Sequence, residues 1–264
     1  MKQNIGFIGF GNMAQAMADG MLASGIEKGE QLYARARQWD KLCRNTEVRG
    51  MHACKHAIDM VRQCDIILLA VKPAQMSEAI STVKEHLQGK AVVSIAAGMF
   101  FETYEQLLPP HTQHLSVIPN MPVSVCEGVM LWEQRNSLQT EEAVAVEQLF
   151  SAIAFIEKLE SDQMTIGATV AGCGPAFAAM FIEALGDGAV AYGLGREAAY
   201  RLCAQMMAGT AKQLLVHPQH PGQLKDRVSS PKGTTIQGVA ELERLGFRNA
   251  LISAIERIEQ FRLK

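Results

Sequence analysis

The chain has 264 residues, with 25 Lys and Arg against 27 Asp and Glu and a formal net charge of −2 at pH 7. That length supports one large or two medium domains, and the balanced charge, without a basic run or aromatic–basic interleaving, argues against a nucleic-acid partner. Six cysteines (Cys43, Cys54, Cys64, Cys126, Cys173 and Cys203) are scattered without a Cys-x-x-Cys pair, as expected of reduced thiols in a cytoplasmic protein rather than of a disulfide framework.

The first predicted element is an apolar strand from Asn4 to Ile8 that runs straight into Gly9-x-Gly11-x-x-Ala14, followed by a small-residue helix through Met21 and Leu22. Strand, glycine turn and helix in that order form a dinucleotide-binding fingerprint. Gly9 allows the tight turn, Gly11 lets the backbone approach a pyrophosphate, and Ala14 lets the helix pack on the strand. The expected cradle is therefore Ile8, Gly9, Phe10, Gly11, Asn12 and Met13. The same glycines interrupt the apolar stretch, so it does not read as a signal peptide.

Gln31–Ala34 and Val48–Met51 are the candidate second and third strands. An NAD-selective site places a carboxylate at the end of the second strand. Here the run is Leu32-Tyr-Ala-Arg-Ala-Arg37, with no acid before Asp40. Ala34, Arg35 and Arg37 therefore suggest a 2′-phosphate, which a guanidinium fork suits, and NADPH over NADH, although NADH remains possible. The alternative is that both arginines solvate a surface turn. His52 and His56 lie four residues apart but lack the glutamate of a zinc helix, so no metal site is predicted.

Asp65–Val71 and Lys90–Ile95 are continuous apolar runs, as in parallel strands buried on both faces. His114–Ile118 and Gly128–Trp132 follow as strands, with helical spacing over Gln75–Leu87 and Thr140–Ile153. This alternation predicts a doubly wound, Rossmann-type α/β domain over residues 1–160. Ligands in such sheets lie beyond the C-terminal strand ends, where this chain places Ala70-Val71-Lys72-Pro73, the segment with Ala96 and Ala97, and Ser116–Asn120. Lys72 either reaches the cofactor or is a solvated helix-start lysine. Asn120 is either a turn residue or a site amide.

From Ser161 the strands disappear, and residues 161–264 form a helical domain with helices over Pro175–Tyr192, Arg196–Val216, Thr234–Leu245 and Arg248–Arg262. Gln163–Ile182 carries no charge but contains Gly167, Gly172, Gly174 and Pro175. It reads as two buried helices broken at a tight junction, not as a membrane span. Small residues along the following helix (Ala176, Ala178, Ala179, Ala184, Gly186, Gly188) suit either a subunit interface or an intrachain core. Last comes Asp226–Phe247, a loop that presents backbone N–H groups at a helix start. Pro231 and Gly233 break the preceding structure, Thr234 or Thr235 caps the helix, and Gly246 stops it. Such a start binds a carboxylate or phosphate.

Taken together, Gly6-Phe-Ile-Gly-Phe-Gly-Asn-Met13, Ala70-Val-Lys-Pro73, Ala96-Ala-Gly98, Pro119-Asn120, Gly172-Cys-Gly-Pro-Ala-Phe177 and Ser229-Ser-Pro-Lys-Gly-Thr-Thr235 resemble the pyrroline-5-carboxylate reductase family over essentially the whole chain. The departures are Ala171-Gly-Cys-Gly-Pro-Ala176 for Ser-Gly-Ser-Gly-Pro-Ala, Lys232 for a glycine, Ile118 for Met, Ala57 for an Asn, and Ser116 for an Arg. The resemblance implies hydride transfer from NAD(P)H to the C=N bond of 1-pyrroline-5-carboxylate, giving L-proline. It implies a substrate site at Asn120, Gly174, Pro175, Ser230, Gly233, Thr234 and Thr235, with the Thr235 hydroxyl as the catalytic candidate. It also implies an intertwined homodimer through an all-helical C-terminal dimerisation domain, assembled further into a ring. Two rival readings are a non-catalytic NADP-binding sensor and an NADP-dependent β-hydroxy acid dehydrogenase. The latter expects a Lys where this chain has Phe177-Ala-Ala-Met-Phe-Ile-Glu183.

Overall fold

A computed structural model describes residues 3–262. Its contacts divide the chain into two compact units, Met1–Gly172 and Cys173–Lys264.

The first unit is built on one sheet of eight strands: β1 (Ile5–Ile8), β2 (Leu32–Arg35), β3 (His52–Ala53), β4 (Ile66–Leu69), β5 (Ala91–Ser94), β6 (Gln113–Pro119), β7 (Gly128–Glu133) and β8 (Ala154–Leu159). Their order is β3-β2-β1-β4-β5-β6-β7-β8. The first six run parallel, β7 is antiparallel to β6, and β8 is parallel to β7. The order reverses between β1 and β4, which is the switch point of a doubly wound sheet. Every residue of β1 and β4 is buried. Alternate side chains feed the two faces: Ile5, Phe7, Ile66 and Leu68 enter one core with Met17, Met21 and Phe150. Ile8, Ile67 and Leu69 enter the other with Met60, Ile80 and Tyr104. The covering helices are α1 (Asn12–Ala23), α2 (Trp39–Glu47), α3 (Ala57–Gln63), α4 (Met76–Ser81), α5 (Phe101–Leu107), α6 (Thr140–Ser151) and the short α7 (Met164–Ala168).

Three sequence expectations need correction in this unit. The third strand is His52–Ala53, not Val48–Met51. Val48 caps the end of α2 and is 79% exposed, and Gly50 at φ +64° turns the chain before the strand starts. The helix expected over Gln75–Leu87 ends at Ser81. There Ser81 Oγ donates to the Glu78 carbonyl and Thr82 Oγ1 to the Ala79 carbonyl, hydroxyl bonds that compete with continuation of the helix. Finally, β8 is an edge strand that the sequence pattern did not suggest.

In the second unit, α8 (Gly174–Ala191) packs on α9 (Arg196–Val216), followed by α10 (Pro221–Arg227), α11 (Thr234–Arg244) and α12 (Phe247–Arg262). Gly186 permits the α8–α9 approach, since a Cβ there would stand 2.6 Å from the Tyr200 ring. The break expected within Gln163–Ile182 is a π-helical turn at Thr169–Cys173, with Pro175 in the first turn of α8. Large apolar side chains stay uncovered along the helices, among them Met180, Leu185, Leu202, Leu215, Leu245 and Phe261.

Candidate functional site

The turn after β1 is fixed by backbone geometry. Gly9 sits at φ +95°, and a Cβ on it would stand 2.5 Å from the Ala70 carbonyl oxygen. Its N–H donates to the Arg35 carbonyl (2.8 Å), while Ala70 N–H donates to the Ile8 carbonyl (2.8 Å). Three strand ends are thus drawn to one point. Gly11 caps α1 with extended backbone and no side-chain hydrogen bond. A Cβ on Gly11 would meet nothing within 4 Å, so it would project into open space. With no acid in the first turn of α1, the helix start is left as an anion site.

Beside that turn lies a cavity of about 560 Å3, lined by Ile8, Gly9, Phe10, Gly11, Arg35, Arg37, Ala70, Val71 and Lys72 among the residues expected there. Arg35 is half-buried and its Nε lacks a hydrogen-bond partner. Arg37 Nη2 pairs with Glu78 Oε2 at 2.5 Å. The cavity is also lined by Lys41, Asn45, Lys55, His56, Glu78 and Thr82, none of which the sequence assigned to the cofactor. Lys41 and Asn45 share one face of α2, four residues apart. Lys55 Nζ stands 5.4 Å from the centre of the Trp39 ring. Among the residues that line the cavity, Arg35, Arg37, Lys41, Lys55 and Lys72 are cationic and Glu78 is the one carboxylate. An orphaned guanidinium nitrogen, a surplus of positive charge and a glycine helix start with free space before it fit a phosphorylated dinucleotide.

Other expected cofactor residues stand off this cavity. Ala34 is fully buried, and its carbonyl accepts the Cys54 N–H. Met13 packs into the core. Asn12 and Pro73 are exposed at helix starts. Ala96 is buried and donates its N–H to Ser94 Oγ (3.2 Å), with Ala97 exposed next to it. Ser94 Oγ also bonds the Tyr104 hydroxyl, so the segment after β5 rests on a buried polar pair. Burial pushes the Tyr104 hydroxyl up to about 12, and pushes the Cys64 thiol up to about 12 as well.

Asn120 is buried and braced: its Oδ1 accepts Val129 N–H (2.8 Å) and its Nδ2 donates to the Ala171 carbonyl (3.0 Å). Its side chain therefore ties the segment after β6 to β7.

In the helical unit, Ser230, Gly233, Thr234 and Thr235 share one turn. The expected threonine cap is corrected: Gly233 is the N-cap, with no side-chain hydrogen bond, and Thr234 and Thr235 are the first two helical residues, both exposed. The cause is Lys232, at φ +62°, which turns the chain so that Gly233 enters extended. Gly233 N–H donates to the Ser230 carbonyl, and a Cβ on Gly233 would stand 2.4 Å from Ser230 Oγ. Gly174 and Pro175 form the first turn of α8.

Residues 161–262 match the pyrroline-5-carboxylate reductase dimerisation family, and residues 4–98 match the family of coenzyme F420-dependent NADP oxidoreductases. The pyrroline-5-carboxylate reductase of Treponema pallidum is 43% identical over 256 residues, covering 96% of this chain and 97% of that protein. A crystal structure of the Plasmodium falciparum pyrroline carboxylate reductase with NADP bound superposes with a TM-score of 0.86 at 28% identity, covering 97% of this chain and 96% of that one. The Coxiella burnetii pyrroline-5-carboxylate reductase gives 0.85 at 30% identity, with the same coverage.

Proposed function

The chain belongs to the pyrroline-5-carboxylate reductase family, and from that premise we propose that it reduces the C=N bond of 1-pyrroline-5-carboxylate to give L-proline, drawing on NADPH and less readily on NADH. The observation that carries this reading is that each unit presents an anion-receptive helix start, at Gly11 beside a cationic cavity in the first and at Gly233–Thr235 in the second. We read residues 1–160 as the nucleotide domain and residues 161–264 as the dimerisation and substrate domain.

When bound, the nicotinamide supplies the hydride. The chain's own residues do the rest by holding and shielding. Backbone N–H groups from Phe10 to Met13 would receive the pyrophosphate, and Arg35 and Arg37 the 2′-phosphate, with Gly9 shaping the turn. Val71, Lys72, Pro73, Ala96 and Ala97 border the ribose and the ring. The Thr234 N–H at the start of α11, with the Thr235 hydroxyl, holds the substrate carboxylate, while the Gly233 N–H stays bonded to the Ser230 carbonyl. In the helical unit, Gly174, Pro175 and Ser230 complete the substrate surroundings. A protonated imine already accepts hydride at carbon, and its nitrogen keeps the electron pair of the former π bond. Orientation and exclusion of water are then the main demands on the protein. The Thr235 hydroxyl, or a water it orders, carries the proton at nitrogen.

The working form is a homodimer, assembled further into a ring, in the cytoplasm. Met164–Ala191 is long and apolar enough to cross a membrane by length and composition alone, and little of it is buried. We read that surface as the seat of a second copy, because all of it lies within the match to the dimerisation family and it contains Gly172, Gly174 and Pro175.

The test is NADPH oxidation with 1-pyrroline-5-carboxylate, run beside NADH and a panel of keto and hydroxy acids. Oxidation confined to the cyclic imine is the expected result. Tight NADPH binding with no turnover on any substrate would assign a sensor instead.

A further inference from the structure

Glu78 is the one carboxylate among the residues lining the cationic cavity, and it is already bonded to Arg37. We propose that Glu78 sets cofactor preference by holding Arg37 in an ion pair that an incoming 2′-phosphate must displace; this rests on the reading that the cavity receives NADP(H). Arg37 lies just beyond β2, while Glu78 lies on α4, beyond β4. The pair thus bridges the cavity mouth across the switch point of the sheet.

The sign of the effect follows from exposure and charge. Both side chains are more than half exposed, so the pair does little to pre-organise the guanidinium. Glu78 nevertheless occupies one Nη donor and places a negative charge where a dianionic phosphate would dock. A ribose 2′-hydroxyl carries no charge and is not repelled. Glu78 therefore weakens the hold on the phosphorylated cofactor and leaves the unphosphorylated one almost untouched, which brings the two affinities closer. The other cations, Arg35 and Lys41 among them, remain to give the phosphorylated cofactor its advantage.

The experiment measures dissociation constants by fluorescence and calorimetric titration of the full chain with NADPH, NADH and 2′-AMP. Glu78→Gln keeps the size and removes the charge at an exposed position. It should tighten NADPH and 2′-AMP about threefold to tenfold and leave NADH within about twofold. The gain should disappear when Arg37→Met is already present. An unchanged or weakened affinity for NADPH in E78Q would overturn the proposal, as would equal tightening of NADH or a gain that persists without Arg37. Failure of the wild-type chain to bind NADPH and 2′-AMP at all would overturn the cofactor reading along with it. Binding in the wild type without the E78Q gain would overturn the role of Glu78 alone.

Discussion

Gly9 and Ala70 meet backbone to backbone at the end of the central strands, with room between them for a hydrogen atom but not for a methyl group. Gly9→Ala therefore combines a clash with main chain and a left-handed φ that only glycine adopts without cost. It should lower stability by about 2–4 kcal/mol, read as a shifted urea midpoint, and abolish NADPH binding in whatever folds.

Gly11→Ala should behave in the opposite way. The new methyl meets no protein atom within 4 Å, and the change at an N-cap costs about 1 kcal/mol or less. The folded chain should keep its midpoint nearly unchanged and lose at least about tenfold in affinity for NADPH, since the methyl occupies space that a pyrophosphate needs. Calorimetric titration beside a melting curve separates these effects. Undiminished binding would remove Gly11 from the cradle.

Thr235 is exposed at the second position of α11 and caps nothing, so its hydroxyl is free for a ligand. Thr235→Ala should lower kcat/KM for the imine by about tenfold to a hundredfold with little change in stability. Turnover and substrate affinity equal to the wild type would end its assignment.

Lys232 occupies a left-handed conformation at φ +62° that costs a side-chain-bearing residue about 1 kcal/mol or more. Lys232→Gly should raise the unfolding free energy by less than about 1 kcal/mol, read as a higher urea midpoint, because glycine gives back part of the gain as chain entropy. Lys232→Ala keeps the strain and should give no gain. Equal midpoints for the two variants would refute the backbone explanation.

Alkaline stability should be poor. Burial raises the Tyr104 hydroxyl from 10.0 and the Cys64 thiol from 9.0, each to about 12. Both groups are protonated in the fold at pH values where the unfolded chain releases the proton. Their stabilising share is therefore complete below about pH 8 and is lost as pH rises from about 9 to 12, the loss being on the order of several kcal/mol by the upper end. Urea midpoints across that range should fall, and Tyr104→Phe with Cys64→Ala should flatten the slope.

The central strands and the glycine turn were legible because each signal is local. β1 and β4 are unbroken apolar runs, and Gly9 and Gly11 follow directly on the first. α2 was not legible, because Trp39–Glu47 buries only Leu42 and Thr46 and shows no continuous apolar stripe. Missing it concealed Lys41 and Asn45, which line the cavity from that helix. β8 escaped because Glu157 and Lys158 stand on an edge strand whose outer residues face water. Glu78 was invisible for another reason: its partner Arg37 lies 41 residues away, and the pairing exists only once β2 and β4 are in register with β1. The misplaced cap on α11 turned on one torsion angle at Lys232, which residue type alone does not reveal.

The helical unit buries very little of itself: among its described residues only Gly186, Ala199, Cys203 and Leu224 are withdrawn from solvent. A single copy thus lacks the interior that would hold α8 to α12 together. On the homodimer reading proposed above, order in this half of the chain depends on how many copies are present, so its melting point should climb with protein concentration while that of the sheet unit stays level.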